Sequence, residues 1–173
     1  MMKKLALALP FTLLLGACEM VPQEPEAIKQ MSLCDKVQAL VKEHNNQFKT
    51  LRISSPARSR SIAVWDARYH LVGNNCQIWE WGNGNVNYVC SHSTPNKDMA
   101  MDLFEKAKNE TRQCLEQAWQ LEERPRKIGT GLKATFSRPG DNTVASVHAV
   151  ETRGVFKSEW STYFTVGNRN DDI

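Results

Sequence analysis

Two tryptophans two residues apart, Trp79 and Trp81, stand in the stretch CQIWEWGNGNVNYVC that runs from Cys76 to Cys90. Two kinds of chemistry are available to it. The terminal thiols can oxidise to a disulfide. The indoles beside Gln77, Asn85 and Asn87 can stack on a sugar or enter a protein contact, since the rings supply apolar area and the amides fix orientation. Period-two alternation places Cys76, Ile78, Val86, Tyr88 and Cys90 on one face of a hairpin, and Gln77, Trp79, Trp81, Asn85, Asn87 and Val89 on the other. The first set reads as core. If helices cover that core, Trp79 and Trp81 lie on an open sheet face, and with Gln77, Asn85 and Asn87 they form the expected binding surface. The competing expectation is that the segment DARYHLVGNN (66–75) or the N-terminal segment folds over the rings.

Catalytic and metal chemistry find little support. There is no nucleophile motif and no glycine-rich phosphate loop, and Gly129 and Gly131 precede a strand rather than a helix. No cysteine pair has C-x-x-C spacing, and His44, His70, His92 and His148 are scattered. No metal, no cofactor and no enzymatic activity are expected. Asp141 and His148 are an acid and a base that only the tertiary structure could bring together. His44 falls on an apolar helical stripe and reads as a histidine at the boundary of a core helix. The basic clusters ARSRS and EERPRK are short, so nucleic-acid binding is not expected.

The first residues, MMKKLALALPFTLLLGAC, carry Lys3 and Lys4, an apolar run from Leu5 to Leu15, and small residues before Cys18. This is the pattern of a secretory signal (1–17) and is too short to span a bilayer, which needs about 20 apolar residues. Leu15-Gly16-Ala17-Cys18 resembles the lipobox of bacterial lipoproteins. That resemblance implies that Cys18 becomes the lipidated N-terminus, carrying acyl chains such as palmitate. With Glu19 rather than Asp after the cysteine, it implies an outer-membrane anchor facing the periplasm. Loss of Lys3 and Lys4 from 22 basic residues leaves 20 against 19 acidic ones, a nearly neutral mature chain. Residues 18–27, with two prolines and three glutamates, read as the lipidated cysteine and a short tether.

Without Cys18, four cysteines remain, an even number in a chain sent to an oxidising compartment, so two disulfides are expected. A three-residue loop Gly82-Asn83-Gly84, with Gly84 left-handed, sets Cys76 directly opposite Cys90. A two-residue Asn83-Gly84 turn would put the sulfurs on opposite faces. The longer loop therefore fits, and elimination pairs Cys34 with Cys114.

These bridges must be held by two helices and several strands. Apolar residues from Ile28 to Leu51 keep helical spacing until SSPARS breaks it. A second helix is expected from Thr94 as N-cap and Pro95 to about Glu122, with Phe104, Ala107, Thr111, Cys114, Leu115, Ala118 and Leu121 on one face and Met99 and Met101 as core filler. SIAVWDA, the hairpin, LKATFSR, TVASVHAVE and EWSTYFTVG read as strands. The expected fold class is α+β: an antiparallel sheet of about six strands with two long helices on one face. Its architecture suggests an α-βββ pseudo-repeat, with a Cys34–Cys114 bridge between antiparallel helices. Residues 28–168 make one domain of ordinary size and 169–173 a polar tail. The functional expectation is a non-catalytic envelope lipoprotein that binds a protein partner in assembly, secretion or stress response. A glycan or peptidoglycan binder is the alternative, and a small hydrolase or hydrolase inhibitor the third reading.

Overall fold

The computed structural model describes residues 26–153 and 158–168. The leader, Cys18 and the tail from 169 lie outside the described residues, as does the tether up to residue 25. The chain folds as α+β. A one-turn helix α1 (Glu26–Lys29) precedes α2 (Leu33–His44), a 3-10 turn (Lys49–Leu51) and strands β1 (Arg52–Arg58), β2 (Ile62–Ala67), β3 (Asn75–Trp81) and β4 (Val86–Thr94). The long helix α3 (Lys97–Cys114) is followed by β5 (Gln120–Pro125), β6 (Thr130–Ser137), β7 (Thr143–Arg153) and β8 (Ser158–Asn168).

All eight strands form one antiparallel sheet in the order β1-β2-β3-β4-β8-β7-β6-β5. The sequence reading of about six strands is thus corrected to eight, with four strands, rather than about three, following the helical segment in each half of the chain. The order 1-2-3-4 is mirrored by 8-7-6-5, and the two halves meet at the β4–β8 ladder.

The two unanticipated strands are the sheet edges. β1, RISSPAR, carries Pro56, a left-handed Ser54 (φ +62°) and a shift of register between Ile53 and Ala57. β5, QLEERP, is charged and almost wholly exposed and ends at Pro125. Edge strands tolerate proline and bulges because one side makes no ladder bonds, and charge on them opposes edge-to-edge association. Neither edge therefore shows apolar alternation.

Both helices are shorter than their apolar spacing suggests. The first is two helices, because Ser32 and Asp35 form a capping box that starts α2 afresh. It ends at His44, where Gln47 and Phe48 take left-handed conformations (φ +56° and +54°). That geometry delivers the fully buried Phe48 ring into the core beside Tyr88, 6.5 Å between centroids. Core contact offsets the local strain. At α3 the cap is Asn96, whose side chain accepts from Met99 N–H at 3.0 Å. Thr94 is instead held in the sheet, its hydroxyl donating to Trp160 O at 3.2 Å. α3 stops at Cys114; Leu115 is extended, Trp119 turns into the core and Leu121 belongs to β5. Met99 is exposed rather than core filler, while Met101 packs against the core.

Core residues come from one face of each of the six inner strands: Ala63 and Trp65, Cys76 and Ile78, Tyr88 and Cys90, Phe164 and Val166, Val147 and Ala149, Ala134 and Phe136. Val37 and Leu40 of α2 and Phe104 and Ala107 of α3 cover this face. Cys34 is bonded to Cys114, joining the first turn of α2 to the last residue of α3, and Cys76 is bonded to Cys90 across the hairpin.

Candidate binding surface on the helix-free face

The hairpin adopts the register that its cysteines predict. Cys76 faces Cys90, Ile78 faces Tyr88 and Trp79 faces Asn87. Gly84 is left-handed (φ +83°) and its N–H bonds Trp81 O at 2.8 Å, while Trp81 N–H bonds Asn85 O at 2.9 Å. The three-residue turn closes as expected. Glu80, on the core side, is tied to Arg52 of β1 at 3.0 Å, and the Arg52 guanidinium lies 3.9 Å over the Trp65 ring. The disulfide, this ion pair and the ladders on both sides fix β3 at the centre of its half of the sheet.

Gln77, Trp79 and Trp81 consequently point away from the helices. Across β2 they have Asp66, Val64 and Ile62 as neighbours, and across β4 Val89 and Asn87. Trp79 and Trp81 are each half-buried and meet edge to face, 5.8 Å between centroids at 72°. Trp79 Nε1 donates to Gln77 Oε1 at 2.9 Å, so Gln77 sets the orientation of the first indole. Asn85 is half-buried in the turn, with its N–H on Asn83 Oδ1 at 3.0 Å. Asn87 is only 3% exposed. The five residues singled out in the sequence thus share one patch.

The segment 66–75 does not cover the rings. Tyr69 O accepts from Tyr88 Oη at 2.7 Å, and Leu71 and Val72 pack against the core, so this loop closes the helix side of the sheet. The polar residues of the other half are less open to water than alternation alone implies. Lys133, Ser146, His148, Ser161 and Thr165 are all buried. Arg126 folds back from the β5–β6 turn and donates to His148 Nδ1 at 2.9 Å. Burial holds the His148 ring well below the ordinary histidine range, and the positive charges of Lys133, Arg126 and Arg124 push it further down. A neutral imidazole accepting at Nδ1 carries its proton at Nε2.

Asp141 and His148 are not brought together. Asp141 sits in the β6–β7 turn, where its carboxylate accepts from Thr143 N–H at 2.8 Å and from Arg138 at 2.8 Å, and these bonds, the first above all, lower its carboxyl pKa. On the helix side its neighbour is His44, whose Nδ1 lies 2.8 Å from Thr143 Oγ1. His148 projects from the opposite face of β7. A cleft of about 290 Å³ beside Asp141, lined by Gln38, Lys42, Glu116, Trp119 and Arg138, escaped the sequence reading because it joins α2, α3 and a turn. Among the described residues no group of three or more metal-ligating side chains forms.

No family model matches the chain, and no curated protein or solved structure matches it either. The surface must therefore be read from its own chemistry. Among the described residues no helix is long and apolar enough to cross a membrane.

Proposed function

We propose that the chain is a non-catalytic envelope lipoprotein, anchored in the outer membrane through Cys18 and facing the periplasm, that binds a protein partner with the helix-free face of its sheet. The observation that supports this reading is the half-buried Trp79–Trp81 pair on that face. Aromatic clusters flanked by apolar and amide side chains are the common anchors of protein interfaces. Ile62 and Val64 supply the apolar surround and Gln77 the polar rim, with Val89 and Asn87 buried between the strands behind them.

The T-shaped pair favours protein over glycan. A sugar ring stacks on a flat, outward-facing indole, whereas rings at 72° present a face and an edge and leave no common platform. Two disulfides hold the surface rigid, which lowers the ordering cost of association.

A photo-crosslinking side chain introduced at Val64, opposite Trp79, tests the reading in intact cells. One adduct of defined mass, identified as an envelope protein and lost in Trp79→Ala/Trp81→Ala, supports it. Sugar-dependent quenching of indole fluorescence by peptidoglycan fragments, without a protein adduct, would replace it with the glycan reading.

A further inference from the structure

Asn87 lies directly opposite Trp79 and diagonally from Trp81 in the β3–β4 hairpin. Its side chain is 3% exposed and is seated over Gly167 of β8, where a Cβ would overlap the amide oxygen. The absence of a side chain at Gly167 makes that seat. Asn87 Nδ2 has no acceptor among the described residues, and neither has Trp81 Nε1; both atoms are shielded from water. Trp79 differs, because Gln77 accepts its N–H. Buried donors are nearly always paired in folded proteins. Two orphan N–H groups in one patch of a candidate interface therefore point to acceptors supplied from outside.

The nature of those acceptors follows from their surroundings. The strand positions flanking the two donors on this face are Ile62, Val64, Asp66, Gln77, Trp79 and Val89, with no lysine or arginine among them. A carboxylate placed there would be buried without a counter-ion and beside Asp66. A sugar is disfavoured because the edge-to-face indoles offer its ring no flat platform. A neutral carbonyl avoids both difficulties. Diagonal neighbours in an antiparallel pair lie about 7 Å apart, and alternate carbonyls of an extended chain repeat at about the same spacing.

We propose that Asn87 and Trp81 bind alternate main-chain carbonyl oxygens of an extended segment of the protein partner, laid beside Trp79 on the helix-free face. This rests on the function proposed above. Because the two donors are shielded, neighbouring side chains shift as the segment enters, and the Trp79–Trp81 pair reports the shift in its fluorescence. In the free protein an orphan donor is unfavourable. Removing it therefore leaves stability intact while weakening the contact.

The test uses linear peptides selected from a displayed library against the full Cys18→Ala chain. Peptides whose binding needs Trp79 are then scanned with amide-to-ester replacements, which weaken one carbonyl acceptor at a time. Asn87→Leu is expected to keep or raise Tm and to lower peptide affinity about tenfold or more, and Asn87→Asp and Trp81→Phe to weaken binding too. At the position facing Asn87, the ester should weaken binding to the natural chain and have no further effect in Asn87→Leu. Additive losses at every ester position overturn the inference and leave the protein-binding reading standing. A lower Tm for Asn87→Leu, meaning that the amide is paired in the free protein, overturns it as well. Failure to select any Trp79-dependent peptide overturns both.

Discussion

At the scale of single residues, the buried polar groups set the pH response. His148 is held neutral by burial and by Lys133, Arg126 and Arg124, so its folded pKa lies below the unfolded value of 6.5. Below 6.5 the unfolded chain binds a proton that the folded one refuses. The stability contributed by neutral His148 is fully present above that pH and is lost as pH falls through it. His44, lowered by burial against the opposing pull of Asn168 and Asp141, acts in the same direction. Thermal melts between pH 7.5 and 5 should show Tm falling below about 6.5, and His148→Gln should flatten part of that slope. An unchanged slope in the variant would place the proton uptake elsewhere. Asp141 works at the other end of the scale: its depressed pKa contributes stability that is lost as pH falls through the carboxylate range.

At the scale of elements, the β3–β4 hairpin and its junction with β8 carry the surface, and their glycines differ in kind. Gly84 is left-handed, but a Cβ added there would meet open space. Gly84→Ala should therefore cost about 1 kcal/mol of backbone strain. At Gly167 the backbone is ordinary, yet a Cβ would meet the Asn87 amide and Val86 O. Gly167→Ala should cost about 2 kcal/mol or more, since the overlap involves main chain and cannot be relieved by a rotamer change. Urea titration of the two variants gives the ranking. The tryptophan pair separates surface from core: truncating a fully buried Trp costs about 3–5 kcal/mol. Half-buried Trp79 and Trp81 should each cost about 2 kcal/mol or less. A collapse of Tm in Trp79→Ala/Trp81→Ala would make them core residues of the free protein.

At the scale of the whole molecule, two bridges close loops of very different size. Cys34 and Cys114 are 80 residues apart, Cys76 and Cys90 only 14. Chain-entropy arithmetic makes the first worth about 4.5 kcal/mol and the second about 3. Replacing Cys34 and Cys114 by Ser should lower the urea midpoint more than replacing Cys76 and Cys90, with the order reversed only if the hairpin bridge braces the interface in the native state. The anchor is tested at the same scale. If Cys18 is lipidated, Cys18→Ala should leave the membrane fraction after a high-salt wash, because several acyl chains hold firmly and their loss removes the attachment.

Much of this arrangement was legible in the residues themselves. The hairpin register followed from two cysteines and the Gly82-Asn83-Gly84 turn, since a side-chain period of two permits only one loop length that opposes the sulfurs. The same alternation placed Gln77, Trp79, Trp81, Asn85 and Asn87 on one patch. The edge strands were not legible, because Pro56 and the charges of Leu121–Arg124 are choices that protect an edge and erase periodicity. Helix lengths were not legible either, since Phe48 and Trp119 leave helical spacing to fill core space that distant strands create. The orphan donors of Asn87 and Trp81 exist only in three dimensions. A sequence states which groups can donate; whether an acceptor lies within reach is decided by packing, here by the seat that Gly167 leaves on β8.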